Sequence, residues 1–140
     1  MYNGLLHAHS GLRWVVLVLL VAAIIHAFSK RDIGLNNKNR KLALFAMISV
    51  HVQLLIGLVL YFISDKVQFS GDAMGNTLTR FYTVEHLVGM LLAIAVITIG
   101  HSKGKKTESF KPIALYYSIG LVLILVSIPW PFRNLGAGLF

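Results

Sequence analysis

Nine polar or ionisable side chains lie within or at the ends of otherwise apolar stretches of this 140-residue sequence: His9, Arg13, His26, Ser49, His51, Gln53, Glu85, His86 and His101. Five of them are histidines, and His7 brings the total to six. Imidazoles in apolar surroundings are costly groups and therefore candidates for function, haem ligation among them, although a single interfacial His is more often a hydrogen-bonded neighbour of the headgroups than a ligand. The residue set excludes several other chemistries. There is no Cys, hence no disulfide, iron–sulfur cluster, thiolate-ligated haem or Cys-based zinc site. No carboxylate sits at mid-span and no pair of Gly/Pro-broken helices is visible, so ion-coupled transport has little to work with. Gly-x-Ser-x-Gly, His-Glu-x-x-His and phosphate-loop motifs are absent.

The elements that position these residues follow from hydropathy. Mean hydropathy is +0.74, 56% of residues are hydrophobic and 13% are charged. A soluble domain carries about 25% charged residues, so this polar surface is too small for water. Crossing a bilayer takes about 20 apolar residues in a helix. Four stretches answer, roughly 5–28, 42–63, 81–100 and 113–128, the last stopped by Pro129-Trp130-Pro131. The runs are continuous rather than alternating, which argues against a β-barrel. The first lacks a basic leader and a small-x-small cleavage site, and reads as a retained span rather than a signal peptide.

The net charge of +8 lies between the apolar runs, which fits a membrane protein rather than a nucleic-acid binder. Nine cations (Lys30, Arg31, Lys38, Arg40, Lys41, Lys103, Lys105, Lys106, Lys111) fall in the first and third loops, against four elsewhere (Arg13, Lys66, Arg80, Arg133). The positive-inside rule then places those loops in the cytoplasm and both termini outside. Short loops make consecutive helices antiparallel neighbours. The expected fold is all-α, a single integral-membrane, up-down-up-down four-helix domain over residues 1–140.

In such a bundle two axial imidazoles must come from helices whose backbones stand roughly 12–14 Å apart, wider than the 8–10 Å of adjacent helices. Diagonal helices meet this, and of the two diagonals only the first–third pair carries His on both members. At about 1.5 Å per residue from the cytoplasmic ends, His9 lies about 28 Å up, His86 about 21 Å and His51 about 14 Å. Helical Cβ atoms lean toward the N-terminus, which tips His9 and His86 the same way and His51 the other. His9 with His86 is the favoured pair, and His51 stays open as the alternative partner of His86 or as a distal group. Arg13 and Arg80 lie at the same level and suit the propionates of a haem b. Glu85 suits an acceptor that would orient a ligand imidazole through its other ring nitrogen. A second site between His26 and His101 fails on facing, with about 60° between His86 and His101 but about 100° between His9 and His26. The bland alternatives are snorkelling for the two arginines beside Trp14 and Phe81-Tyr82, core filling for Met47 and Met90, and close helix packing for Gly57, Gly89 and Gly120.

The segments Leu5–Trp14, His51–Gly57, Arg80–His86 and the Ile-Pro-Trp-Pro-Phe-Arg run at 128–133 resemble a family of short bacterial four-helix membrane proteins labelled "cytochrome B". The resemblance covers nearly the whole chain. Gln53-x-x-x-Gly57 followed by His86 early on the third helix is also distantly similar to one half of haem A synthase. The chain departs from that enzyme in having no His on the fourth helix and no Glu-x-x-His-Arg motif. What the resemblance implies is a multi-pass protein of the bacterial inner membrane that binds haem.

The reading expected from residues and resemblance together is a b-type cytochrome-like protein, an electron carrier more than a stand-alone enzyme. It would pass electrons between a quinol or periplasmic donor and a larger respiratory or membrane complex, alone or as a homo-oligomer, without nucleic acid. The alternatives are a haem-free accessory or scaffold subunit and a small metal-binding or transport protein using the same histidines.

Overall fold

A computed structural model describes all residues, Met1–Phe140. The chain folds into four helices: α1 (Tyr2–Ser29), α2 (Lys41–Ile63), α3 (Thr77–Thr107) and α4 (Lys111–Ser127). There is no sheet, only an isolated bridge between Gly34 and Ser109. The first three helices are long and apolar enough to cross a membrane. The fourth lies within two residues of its expected span at each end, and its 17 residues, about 25 Å at 1.5 Å per residue, fall somewhat short of the hydrocarbon core. The proline pair at 129 and 131 is what shortens it.

Partner residues run in opposite order along each neighbouring pair, so consecutive helices are antiparallel. Along α1 and α2, Tyr2 meets Ser64 and His9 meets Gln53. Along α2 and α3, Tyr61 meets Thr83 and His51 meets Thr98. α1 also packs on α4, which leaves α1 facing α3 across the diagonal. The basic loops are tied together at one end of the bundle, where Leu35 N donates to Glu108 O at 2.9 Å. At the other end lie both termini and the 64–76 connection. The large side chains on the outer faces are apolar, with Val18, Ile25, Phe62 and Val126 each about two-thirds or more exposed, a surface suited to lipid.

α3 starts earlier than residue 81 because Asn76 caps it, its Oδ1 accepting from Leu78 N at 2.9 Å and Thr79 N at 3.3 Å. A single π turn over Phe81–Glu85 then precedes His86. Its i→i+5 spacing brings Arg80 and Glu85 to the same face, where Arg80 Nε lies 2.8 Å from Glu85 Oε1. α3 and α4 pack closely through glycines. A Cβ at Gly89, Gly100, Gly104 or Gly120 would overlap Ser127, Tyr116, Ile113 or Ile97 respectively, so these backbones approach as small residues permit.

Candidate functional site

His9, Arg13 and His86 gather at the end that carries the termini. A cavity of about 200 Å³ lies there between α1, α2 and α3. Its walls are mostly apolar, with Val16, Val50, Leu54, Met90 and Ile94 below, and His9, Arg13, Gln53 and His86 among the polar lining. The roof is the C-terminal segment, residues 136–138 and Phe140. Four side chains hold that roof by its backbone carbonyls. Arg13 Nη2 and Trp14 Nε1 donate to Leu139 O, Tyr82 to Leu135 O at 2.9 Å, and Lys66 Nζ to Gly136 O at 3.2 Å.

His9 and His86 meet across the diagonal, ring centres 6.4 Å apart and planes at 75°. Two imidazoles that ligate one metal ion from opposite sides have ring centres roughly 6.3 Å apart, given metal–nitrogen bonds of about 2.0–2.1 Å. His86 Nδ1 donates to Ser127 O at 2.8 Å, which fixes the tautomer and presents Nε2 as the free lone pair. Neither Nε2 is bonded to a protein group, and both remain accessible rather than sealed.

The acceptor that orients His86 is produced by the sequence at 129–131. Pro129 and Pro131 have no N–H to close the last turns of α4, so the carbonyls of Leu125 and Ser127 are released. Trp130 Nε1 takes Leu125 O at 2.9 Å, and His86 takes Ser127 O. Arg133 Nη1 caps the neighbouring carbonyls of Val126 and Ile128 at 2.9 and 3.1 Å. The i→i+4 spacing from Ser127 to Pro131 is the sequence signal that locates this acceptor.

The remaining candidates stand elsewhere. His51 lies outside the cavity, its Nδ1 donating to Met47 O at 2.7 Å and its Nε2 3.4 Å from Thr98 Oγ1. Arg80 and Glu85 pair with each other on an exposed face and do not line the cavity. Arg13 does line it, with its guanidinium engaged by Leu139 O and lying 5.4 and 5.8 Å from the rings of Trp14 and Trp130. At the opposite end His26 packs edge-on to Phe110 at 5.4 Å. His101 lies beside Tyr117 and Arg40. No group of three or more His, Cys, Asp or Glu is gathered to hold a bare metal ion.

Tested against a bis-imidazole haem, the polar groups fit in kind: two unbonded Nε2 atoms on rings whose centres are 6.4 Å apart, one ring oriented by a backbone carbonyl, a cation beside them and apolar walls. The volume is below the roughly 300–1,000 Å³ of ordinary small-molecule sites. A macrocycle therefore needs the C-terminal roof to lift and Arg13 to exchange its carbonyl partner. No family model, no curated protein and no solved structure matches the chain.

Proposed function

We propose that the protein is a membrane-embedded, b-type cytochrome-like electron carrier that holds haem b between His9 and His86. The observation that supports this most is the ring pair, 6.4 Å between centres with both Nε2 atoms open to one apolar cavity. When bound, the haem supplies one-electron redox chemistry at its iron. The chain's own residues do the rest. Ser127 O keeps the His86 proton on Nδ1. Helices α1 and α3, held apart as diagonal neighbours, set the ring separation. Val50, Leu54, Met90 and Ile94 would give the macrocycle an apolar wall, and Arg13 would offer a cation to a propionate.

The charge asymmetry of nine cations against four supports an orientation with the basic loops in the cytoplasm and both termini outside. The site then lies in the outer leaflet of a bacterial inner membrane, within reach of a quinol or periplasmic donor and of a partner complex or second copy. A second reading is favoured by one observation: Arg13 is already committed to Leu139 O under a closed roof. On that reading the chain is a haem-free accessory subunit whose terminal end is simply packed.

Absorption spectroscopy of the purified protein separates the two. The cytochrome reading expects a Soret band with sharp α and β bands on reduction. A colourless protein that takes up no added haemin supports the accessory reading instead.

A further inference from the structure

The basic end of the bundle carries an open groove of about 450 Å³ between the end of α1 and the start of α4. Its lining is Phe28, Arg31, Asp32, Lys111, Ala114 and Leu115. Phe28 and Leu115 are each more than half exposed, so two cations stand over an apolar floor. Neither cation is used up by the protein. Lys111 forms no ion pair, and Arg31 meets only Asp32, at 3.9 Å with both side chains largely exposed. The two loops at this end hold nine cations against two carboxylates, Asp32 and Glu108. An anion in the groove is therefore drawn by the field of the whole end as well as by the two residues that face it.

The apolar floor continues away from the loops. On α1, Ile25, Val21 and Val18 follow Phe28 at steps of three and four residues, and all are exposed. On α4, Ile119, Val122 and Val126 follow Leu115 in the same way. Such steps keep each set on the helix side that carries Phe28 or Leu115. Because α1 and α4 pack on each other, the two stripes flank one seam that starts under the cations. Each stripe is about 15 Å long at 1.5 Å per residue, the depth of one leaflet in a hydrocarbon core of about 30 Å.

A cationic rim above an apolar strip one leaflet deep matches the shape and charge of a phospholipid. A free phosphate would leave the strip unused, and a zwitterionic head would bring a cation of its own into a positive field. We propose that the groove holds one anionic phospholipid, its phosphate between Arg31 and Lys111 and its acyl chains along the α1–α4 seam. The Arg31 guanidinium can present two N–H groups to two phosphate oxygens, and Lys111 adds a compact second charge. Asp32 opposes binding, since it competes for Arg31 and repels the head. The site lies at the opposite end from His9 and His86 and does not depend on haem. It rests on the chain lying in a bilayer.

The test uses the full chain, extracted in mild detergent from vesicles of equal parts phosphatidylglycerol and phosphatidylethanolamine. Native mass spectrometry counts the lipid retained, and titration of phosphatidylglycerol into micelles reads its affinity. One phosphatidylglycerol should be kept in preference to phosphatidylethanolamine. Arg31→Gln and Lys111→Gln should each lower the affinity about 5-fold, and the two together about 30-fold. Lys105→Gln with Lys106→Gln removes the same charge outside the groove and should cost much less. Asp32→Asn should raise the affinity, and Leu115→Ala should lower it with both cations in place. Equal losses in the two double variants would make binding a property of the general field and overturn the site. Preferential retention of phosphatidylethanolamine, weakened by Asp32→Asn, would overturn the anionic head. Wild-type affinity in Leu115→Ala would overturn the seating of the acyl chains.

Discussion

At the end of the bundle bearing the basic loops, Tyr117 donates its hydroxyl proton to Ala43 O at 2.7 Å, so its oxygen accepts from His101 Nδ1 at 3.2 Å. His101 Nε2 is left as an acceptor, and Arg40 Nη1 approaches it at 3.4 Å. Within this cluster each polar group meets a protein partner, and α2, α3 and α4 are joined by one chain of hydrogen bonds. At the end bearing the termini, His9 and His86 keep both Nε2 atoms open, and three buried polar atoms without a partner, His9 Nδ1, Arg13 Nε and Gln53 Oε1, belong to residues lining the same cavity. Both ends use the same residue types, histidine with tyrosine and arginine. Closed at one end, the polar set is a structural joint. Left open at the other, it is a candidate site.

Substitutions sharpen that contrast. The largest expected effect is at His86: His86→Ala should abolish haemin binding, because it removes one ligand together with its link to Ser127 O. Absorption titration reads the loss. Tyr117→Phe should cost about 1–3 kcal/mol of stability, since it leaves the buried Ala43 carbonyl and His101 without their shared partner. Thermal unfolding in detergent measures this, and haemin affinity should be unchanged. A drop in affinity would mean that the two ends are coupled, against the division drawn here. Gly120→Ala should destabilise by about 1–3 kcal/mol by overpacking against Ile97 at the α3–α4 contact. The smallest effect is expected at Arg80→Ala, an exposed pair with Glu85, where a change under about 1 kcal/mol and no change in haemin affinity should follow. A marked affinity loss would place Arg80 at the site after all.

Much of the helical frame was legible because continuous apolar runs and short loops leave few alternatives. The expected spans fall within one to four residues of the observed helix starts, and the diagonal of α1 and α3 follows from antiparallel order. The π turn at Phe81–Glu85 was not legible, since nothing in Phe-Tyr-Thr-Val-Glu distinguishes it from an α-turn. It nonetheless decides that Arg80 meets Glu85. Depth alone could not rank His9 above His51, because depth ignores facing. What separates them in the structure is placement: His9 lines the cavity with His86, whereas His51 lies outside it with its Nε2 3.4 Å from Thr98 Oγ1. The roof over the cavity had no periodic signal, being an irregular Gly-Ala-Gly segment held by backbone carbonyls. Ser127 was traceable through Pro131, but only once its partner His86 was in view.

The central claim is that His9, and not His51, completes the pair with His86. Haem content and the low-spin spectrum of His9→Ala and His51→Ala, each purified beside the wild type, test it most directly. His9→Ala should lose the low-spin spectrum and most of its haem, while His51→Ala should keep both. Retention of the wild-type spectrum in His9→Ala with its loss in His51→Ala would contradict that claim and put the site between α2 and α3.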